Sequence, residues 1–386
     1  MQIDTEQDPE QTQEPVRRSR RRRYLKALAW AVAGVVVLAL VAGTVVYRTL
    51  SGNIAHYDPS GDLRGERPRS FPGVVNLLVI GTDSRVGLGN RYGDAGSVGH
   101  ADTNLLVHVA ADRSNATVLS IPRDLLVAVP DCVDAAGGRI PGQAREIFNA
   151  SLGQLGRQPG CTMKTVEELT GIRVDHFVMV DFAAVKTISS ALGGVEVCTD
   201  KPIDDVKSGL HLTAGKHRIA GEDALAFLRT RHGVGYGSDL DRIKLQQEFV
   251  GSMIRGVRSK GTLTNPTKLL SVGSAVTKAL TVDDDIASLR SLTGLALDVN
   301  KVDSKRITFV TVPVLDATLP AEKGRLVLQD TKARELFAWI AADRSLSGGA
   351  RPRPTPTGAP TARSTPTERS TPLVDAVHAD TATCAG

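Results

Sequence analysis

The chain has 386 residues, 41% of them hydrophobic and 23% charged, which is enough apolar material for a full core and excludes a wholly disordered protein. Its net charge of +5 is owed to six arginines between Arg17 and Arg23, so the remainder is close to neutral and offers no broad nucleic-acid-binding surface. Those arginines directly precede an apolar run from Tyr24 to Tyr47, interrupted by Lys26. Roughly 20 apolar residues cross a bilayer as a helix, and a flanking basic cluster is retained on the cytoplasmic side. The run exceeds the roughly 7 to 15 apolar residues of a secretory signal peptide and no small-x-small cleavage site follows, so an uncleaved anchor is the preferred reading.

Composition divides the rest. Residues 1–23 are expected to be a disordered cytoplasmic tail, 24–47 the membrane helix, 48–73 a Gly, Pro, Asp and Arg-rich linker, and 74–344 the folded extracytoplasmic unit. Repeated Thr-Pro and Arg-Pro elements mark 345–386 as an extended, unpacked tail. Outside the membrane, thiols tend to end as disulfides. Cys132 and Cys161 bracket a Gly-rich loop and are expected to pair; no pairing is expected for Cys198 and Cys384, and no spacing resembles a zinc site.

Within the folded unit, short apolar runs at Val74–Ile80, Asn104–Ala110 and Thr117–Ile121 predict strands. A helix is predicted over Cys161–Thr170, a strand over His176–Val180 and a helix over Phe182–Leu192, closed by Gly193 and Gly194. Helices again suit Gly221–Thr230 and Asp239–Arg258, and an alternating strand suits Arg306–Val314. Strands interleaved with helices predict an α/β sandwich around one sheet.

Polar residues gather where these elements end. Asp83 and Arg85 follow the first strand, at the carboxyl edge where α/β sheets bind ligands. Asp102 lies in His100-Ala101-Asp102-Thr103, before the second. Two carboxylates brought together repel unless a cation neutralises them, and magnesium, or manganese in its place, accepts carboxylate oxygens while keeping positions for phosphate and water. Arg123, after Pro122, presents a planar fork suited to phosphate. Arg229 and Arg231 sit where a helical pattern gives way to glycines, and Asp239, Arg242 and Gln246 follow, the last two on one helix face. Singly, each reads equally well as a turn residue, a cap or a solvated ion pair; jointly they read as a pyrophosphate site with a metal. No GxxxxGK[ST] phosphate loop or GxSxG elbow is present.

These clusters, in this order behind one anchor, resemble the LytR-CpsA-Psr family. The matching stretches are Asn76–Arg85, Ala101–Asn104, Ser120–Asp124, Phe177–Gly194, Gly221–His232 and Asp241–Gln247. The resemblance implies an α-β-α sandwich with a central mixed sheet and a hydrophobic tunnel for a prenyl chain. It also implies magnesium on Asp83 and Asp102, a pyrophosphate clamp of Arg85, Arg123, Arg229 and Arg231, and rim positions for Asp239, Arg242 and Gln246. The implied activity moves a glycopolymer from a polyprenyl pyrophosphate carrier to a peptidoglycan acceptor through a phosphodiester, beside a lipid bilayer and without nucleic acid. Many members have Arg-Ser-Asp-Thr where this chain has His100-Ala101-Asp102-Thr103, which exchanges a fixed cation for an imidazole, a group mostly uncharged at neutral pH. A polyprenyl pyrophosphate phosphatase and a non-enzymatic membrane-bound regulator of transcription or wall assembly are the competing readings.

Overall fold

A computed structural model describes residues 17–84, 99–230, 239–259, 261, 264–346 and 376–378. The chain divides into two compact units, Met1–Thr49 and Leu50–Gly386. The first is dominated by helix α1, Arg17–Gly52, which holds no proline and exposes apolar side chains all round, Trp30, Leu38 and Val41 among them. Among the described residues it is the one helix long and apolar enough to span a bilayer, as a signal anchor or a signal peptide does.

The second unit is built on an eight-stranded sheet. Its strands are β1 (Ala55–Tyr57), β2 (Val75–Thr82), β3 (Ala101–Val109), β4 (Ala116–Ile121), β5 (His176–Val180), β6 (Leu280–Asp283), β7 (Ile307–Thr311) and β8 (Ala376–His378). They lie in the order β1-β6-β5-β2-β3-β4-β7-β8. The pairs β1/β6, β5/β2 and β4/β7 are parallel and the others antiparallel, so the sheet is mixed.

Among the described residues, seven helices follow α1: α2 (Pro159–Thr170), α3 (Phe182–Ala191), α4 (Glu222–Arg229), α5 (Asp239–Arg258), α6 (Pro266–Ala279), α7 (Leu289–Asn300) and α8 (Asp330–Ala341). The period-2 alternation of the strands explains how they are placed. Leu78, Ile80, Leu106, Leu119, Ile121 and Val310 point to one face, where Val166 of α2 and Leu336 and Ile340 of α8 cover them. Leu105, Val109, Val118, Ile307 and Phe309 point to the other, against Val250 and Ile254 of α5 and Val299 of α7. A third apolar cluster joins α3, α4, α5 and α6 to the hairpin of Val195–Thr199 and Gly215–Ile219.

Every strand and helix predicted from the sequence is present, with ends shifted by a few residues. Three expectations are revised. The stretch read as a linker contributes β1, packs Asp62 into the interior and pairs Arg67 with Glu167 at 2.7 Å. The tail read as unpacked returns a strand at Ala376–His378 to the sheet, and three residues are too few to show a period in sequence. The Cys132–Cys161 disulfide is present, and Cys198 is also disulfide-bonded, against the expectation that it stays unpaired. Cys384 lies outside the described residues.

The turn between β3 and β4 is fastened by Arg113, a non-glycine residue at φ 59°. Its guanidinium binds the Asp298 carboxylate of α7 and donates to the carbonyl oxygens of Gly73, Ala110 and Ala111. Hydrogen bonds from Arg113 and Lys301 hold Asp298 well below the ordinary carboxylate range, at about 2. A depressed carboxylate stabilises the fold above its unfolded pKa and loses that contribution as pH falls through its folded one. Asp298→Asn is therefore expected to cost about 1 kcal/mol or less at pH 7, given the pair's solvent access, and clearly less at pH 2, where the folded carboxylate is already half protonated. Urea denaturation at the two pH values checks this, and an equal cost at both would show that the ion pair is not the source.

Candidate active site

The carboxyl end of β2 is shaped by a register shift. Gly81 pairs with Thr103 and Thr82 with Ala101, so Asp102 is the extra residue of a β-bulge, its N–H turned to His100 O at 3.0 Å. A bulge breaks the alternation of faces and re-aims a side chain. Gly81 permits the approach, since a Cβ there would lie 2.8 Å from Thr103 Cβ. Gly99, at φ 80°, permits a second: a Cβ would overlap Thr82 Oγ1 and the Ser84 amide. Residues 99–100 thereby lie on the turn after β2, and the His100 amide donates to Asp83 Oδ1 at 2.8 Å. Asp83, just past β2, and Asp102, at the start of β3, are thus set at the same end of neighbouring strands.

Cations close on these acids from two sides. Pro122 stops β4, and Arg123 donates to Asp102 Oδ1 at 2.7 Å while its Nε lies 3.6 Å from Asp124. Asp124 in turn is held by Arg325 at 2.9 Å. The Arg123 backbone is pinned by Asn149, whose N–H donates to Arg123 O at 3.0 Å. From α5, the buried Arg242 donates to Asp102 O at 3.3 Å, and Gln246, also buried, lies one helical turn further. Gln247, which closes the matching stretch Asp241–Gln247, docks α5 by donating to Ser120 Oγ and Thr311 Oγ1 at 2.8 and 3.2 Å.

Arg229 is the last residue of α4, and its guanidinium lies 5.3 Å over the ring of Phe182. Phe182 opens α3 two residues after Val180, the β5 residue paired with Gly81, so it belongs to the same end of the sheet. Asp239 is the first residue of α5. Arg85 and Arg231 lie outside the described residues. The described site therefore joins Asp83, Asp102, Arg123 and Arg242 through direct or shared contacts, with Arg229 at the same sheet end.

Asp83 and Asp102 are oxygen donors on adjacent strands, with side chains 22% and 25% exposed. That donor set fits a hard cation such as magnesium, which completes its shell with phosphate and water. A second group of three side chains has ligand atoms within 4.8 Å of one another: His176, Asp283 and Asp285, at the opposite end of β5. Its nitrogen and oxygen donors suit a transition metal better than magnesium. Internal bonds already engage it, from Asp283 to His176 Nδ1 at 3.1 Å and to the Phe177 amide at 2.8 Å. Burial alone would lower the His176 pKa, but the Asp283 bond and the charges of Asp283, Asp175 and Asp285 outweigh it and hold the pKa above the ordinary value.

Residues 53–337 match the model of the LytR_cpsA_psr family. The chain is 31% identical over 280 residues to the cell wall biosynthesis protein LcpA of Corynebacterium glutamicum, covering 66% of this chain and 53% of that one. It is 30% identical over 300 residues to the polyisoprenyl-teichoic acid–peptidoglycan teichoic acid transferase TagT of Bacillus subtilis, covering 73% and 87%. In structure it is similar to a LytR-Csp2A-Psr enzyme from Actinomyces oris, with a TM-score of 0.56, 22% identity and coverage of 75% and 96%. The match spans about half the length of the corynebacterial relative.

Removing the cation that faces Asp102 deepens the local negative potential. Arg123→Ala is expected to tighten Mn²⁺ binding at the site several-fold and to weaken inorganic pyrophosphate binding by at least tenfold. Titration followed by electron paramagnetic resonance and by calorimetry reads both. Unchanged affinities would remove Arg123 from the site.

Proposed function

The chain belongs to the LytR-CpsA-Psr family, whose members include cell wall biosynthesis proteins and polyisoprenyl-teichoic acid–peptidoglycan transferases, and from that premise we propose that it is a glycopolymer phosphotransferase. Its donor is a glycopolymer on a polyprenyl pyrophosphate, and its acceptor is a peptidoglycan hydroxyl. The observation that carries this reading is the Asp102 bulge, where the Asp102 carboxylate accepts from Arg123, its backbone carbonyl accepts from Arg242, and the neighbouring Asp83 carboxylate accepts from the His100 amide.

The acceptor hydroxyl oxygen attacks the sugar-bearing phosphorus. A new P–O bond forms, the bond to the bridging oxygen breaks, and polyprenyl phosphate departs with that electron pair. Arg123 and Arg229 hold the diphosphate oxygens and stabilise the charge that grows on the leaving phosphate, where such catalysis gains most. Arg85 and Arg231 complete the clamp, and Asp239, Arg242 and Gln246 line its rim. Asp83 and Asp102 would hold magnesium, or manganese, which supplies further charge neutralisation at the phosphates. The hydroxyl proton passes to a base that these residues leave unassigned, since a metal-bound carboxylate accepts protons poorly. The prenyl chain would run beside the apolar cluster of α3, α4, α5 and α6, to which Phe227, two residues before Arg229, belongs. The apolar α1 anchors the enzyme in the bilayer with the catalytic unit outside.

Full-length protein incubated with a lipid-linked glycopolymer and nascent peptidoglycan is expected to yield a phosphodiester-linked product with release of polyprenyl phosphate. Arg123→Ala and Asp83→Ala should each lower transfer by at least a hundredfold without loss of the folded state by circular dichroism. Equal release of phosphate with and without acceptor would instead favour a phosphatase, and unchanged transfer in both variants would overturn the site.

A further inference from the structure

We infer that Phe182 is a positioning residue for the phosphate-binding Arg229, acting through the face of its ring; this rests on the transferase reading. Arg229 is the last residue of α4. Two anchors define its base. Thr230 is buried, donates to Ala226 O at 2.9 Å and shares a hydrogen bond with Ser208 Oγ at 2.8 Å, so the backbone of the turn is fixed. Lys186 of α3 and Glu222 of α4 form an ion pair at 2.5 Å, tying the two helices together.

The platform is equally well held. Asp181 caps α3 by accepting from the Ala184 amide at 2.7 Å, and the strand before it is paired to β2 through Val180 and Gly81. Phe182 is therefore placed by the same strand pair that places Asp83, and its ring carries the Arg229 guanidinium 5.3 Å from the centroid. An aromatic face attracts a guanidinium and also dictates its plane, which a bidentate phosphate contact requires. The ring is only partly buried, so it presents a face at a polar site instead of vanishing into the core.

The test is a double-mutant cycle on full-length protein, read by inorganic pyrophosphate binding and by glycopolymer transfer. Phe182→Leu keeps apolar bulk and loses the ring face, and is expected to weaken pyrophosphate binding and kcat/KM about tenfold. Phe182→Tyr and Phe182→Trp should restore both, an order that simple packing would not produce because Trp is the larger misfit. In an Arg229→Ala background, Phe182→Leu should have no further effect on binding. An equal loss from Phe182→Leu in both backgrounds, or no loss in either, overturns the positioning role while leaving the transferase reading intact. Normal pyrophosphate binding and transfer by Arg229→Ala alone would overturn the assigned role of Arg229 and this inference with it.

Discussion

Arg123 donating to Asp102 at 2.7 Å joins three separately encoded pieces: the end of β4 after Pro122, the bulge of β3, and, through the Asp102 carbonyl, the buried Arg242 of α5. Two carboxylates on neighbouring strands are unfavourable unless a cation faces them, and this guanidinium supplies that charge within the fold. Its own placement depends on a segment far from the sheet centre. The Arg123 carbonyl is held by Asn149, which lies in the excursion between Cys132 and Cys161, and the disulfide closes that excursion into a loop. A cross-link of this span limits the unfolded chain by about 3.6 kcal/mol in the chain-entropy picture, so covalent chemistry remote from the phosphate site supports the geometry at it.

Much of this was visible in the sequence because the strands are compact apolar runs that end on polar clusters. The β2, β4 and β5 runs needed only their apolar character and strand length, and α3 its glycine stop, where Gly193 and Gly194 donate to Ser190 O and Ser189 O. What stayed hidden was of two kinds. The bulge at Asp102 is a mismatch between two strands, and no single strand carries its signature. The pairing of β1 with β6, and of Tyr57 with Asp283 within it, joins residues more than two hundred positions apart, and neither strand is long enough to announce itself. Phe182 was read as part of a helix because an aromatic residue there fits the apolar pattern; its contact with Arg229 appears only once α3 and α4 are placed side by side.

The two ends of the sheet have different characters. At the end shared by Thr82 and Val180, carboxylates face guanidinium groups and glycines thin the backbone. At the other, His176 and Asp283 are satisfied by each other and by the Phe177 amide, in the manner of a strand clamp. An open α/β sheet offers ligands its carboxyl edge, and β2 and β5 are parallel neighbours that both finish at the first of these ends. Backbone topology thus separates a place for chemistry from a place for stability, although both are rich in aspartate.

The short strand Ala376–His378 occupies the outermost position of the sheet, on β7. Without it, β7 would present a row of unsatisfied amides and carbonyls to solvent, the template on which a second chain pairs and aggregation begins. Cutting the protein at Ser345 to discard a low-complexity terminus would therefore bare a sticky border, and a trimmed version would gain tidiness in sequence at the expense of solubility.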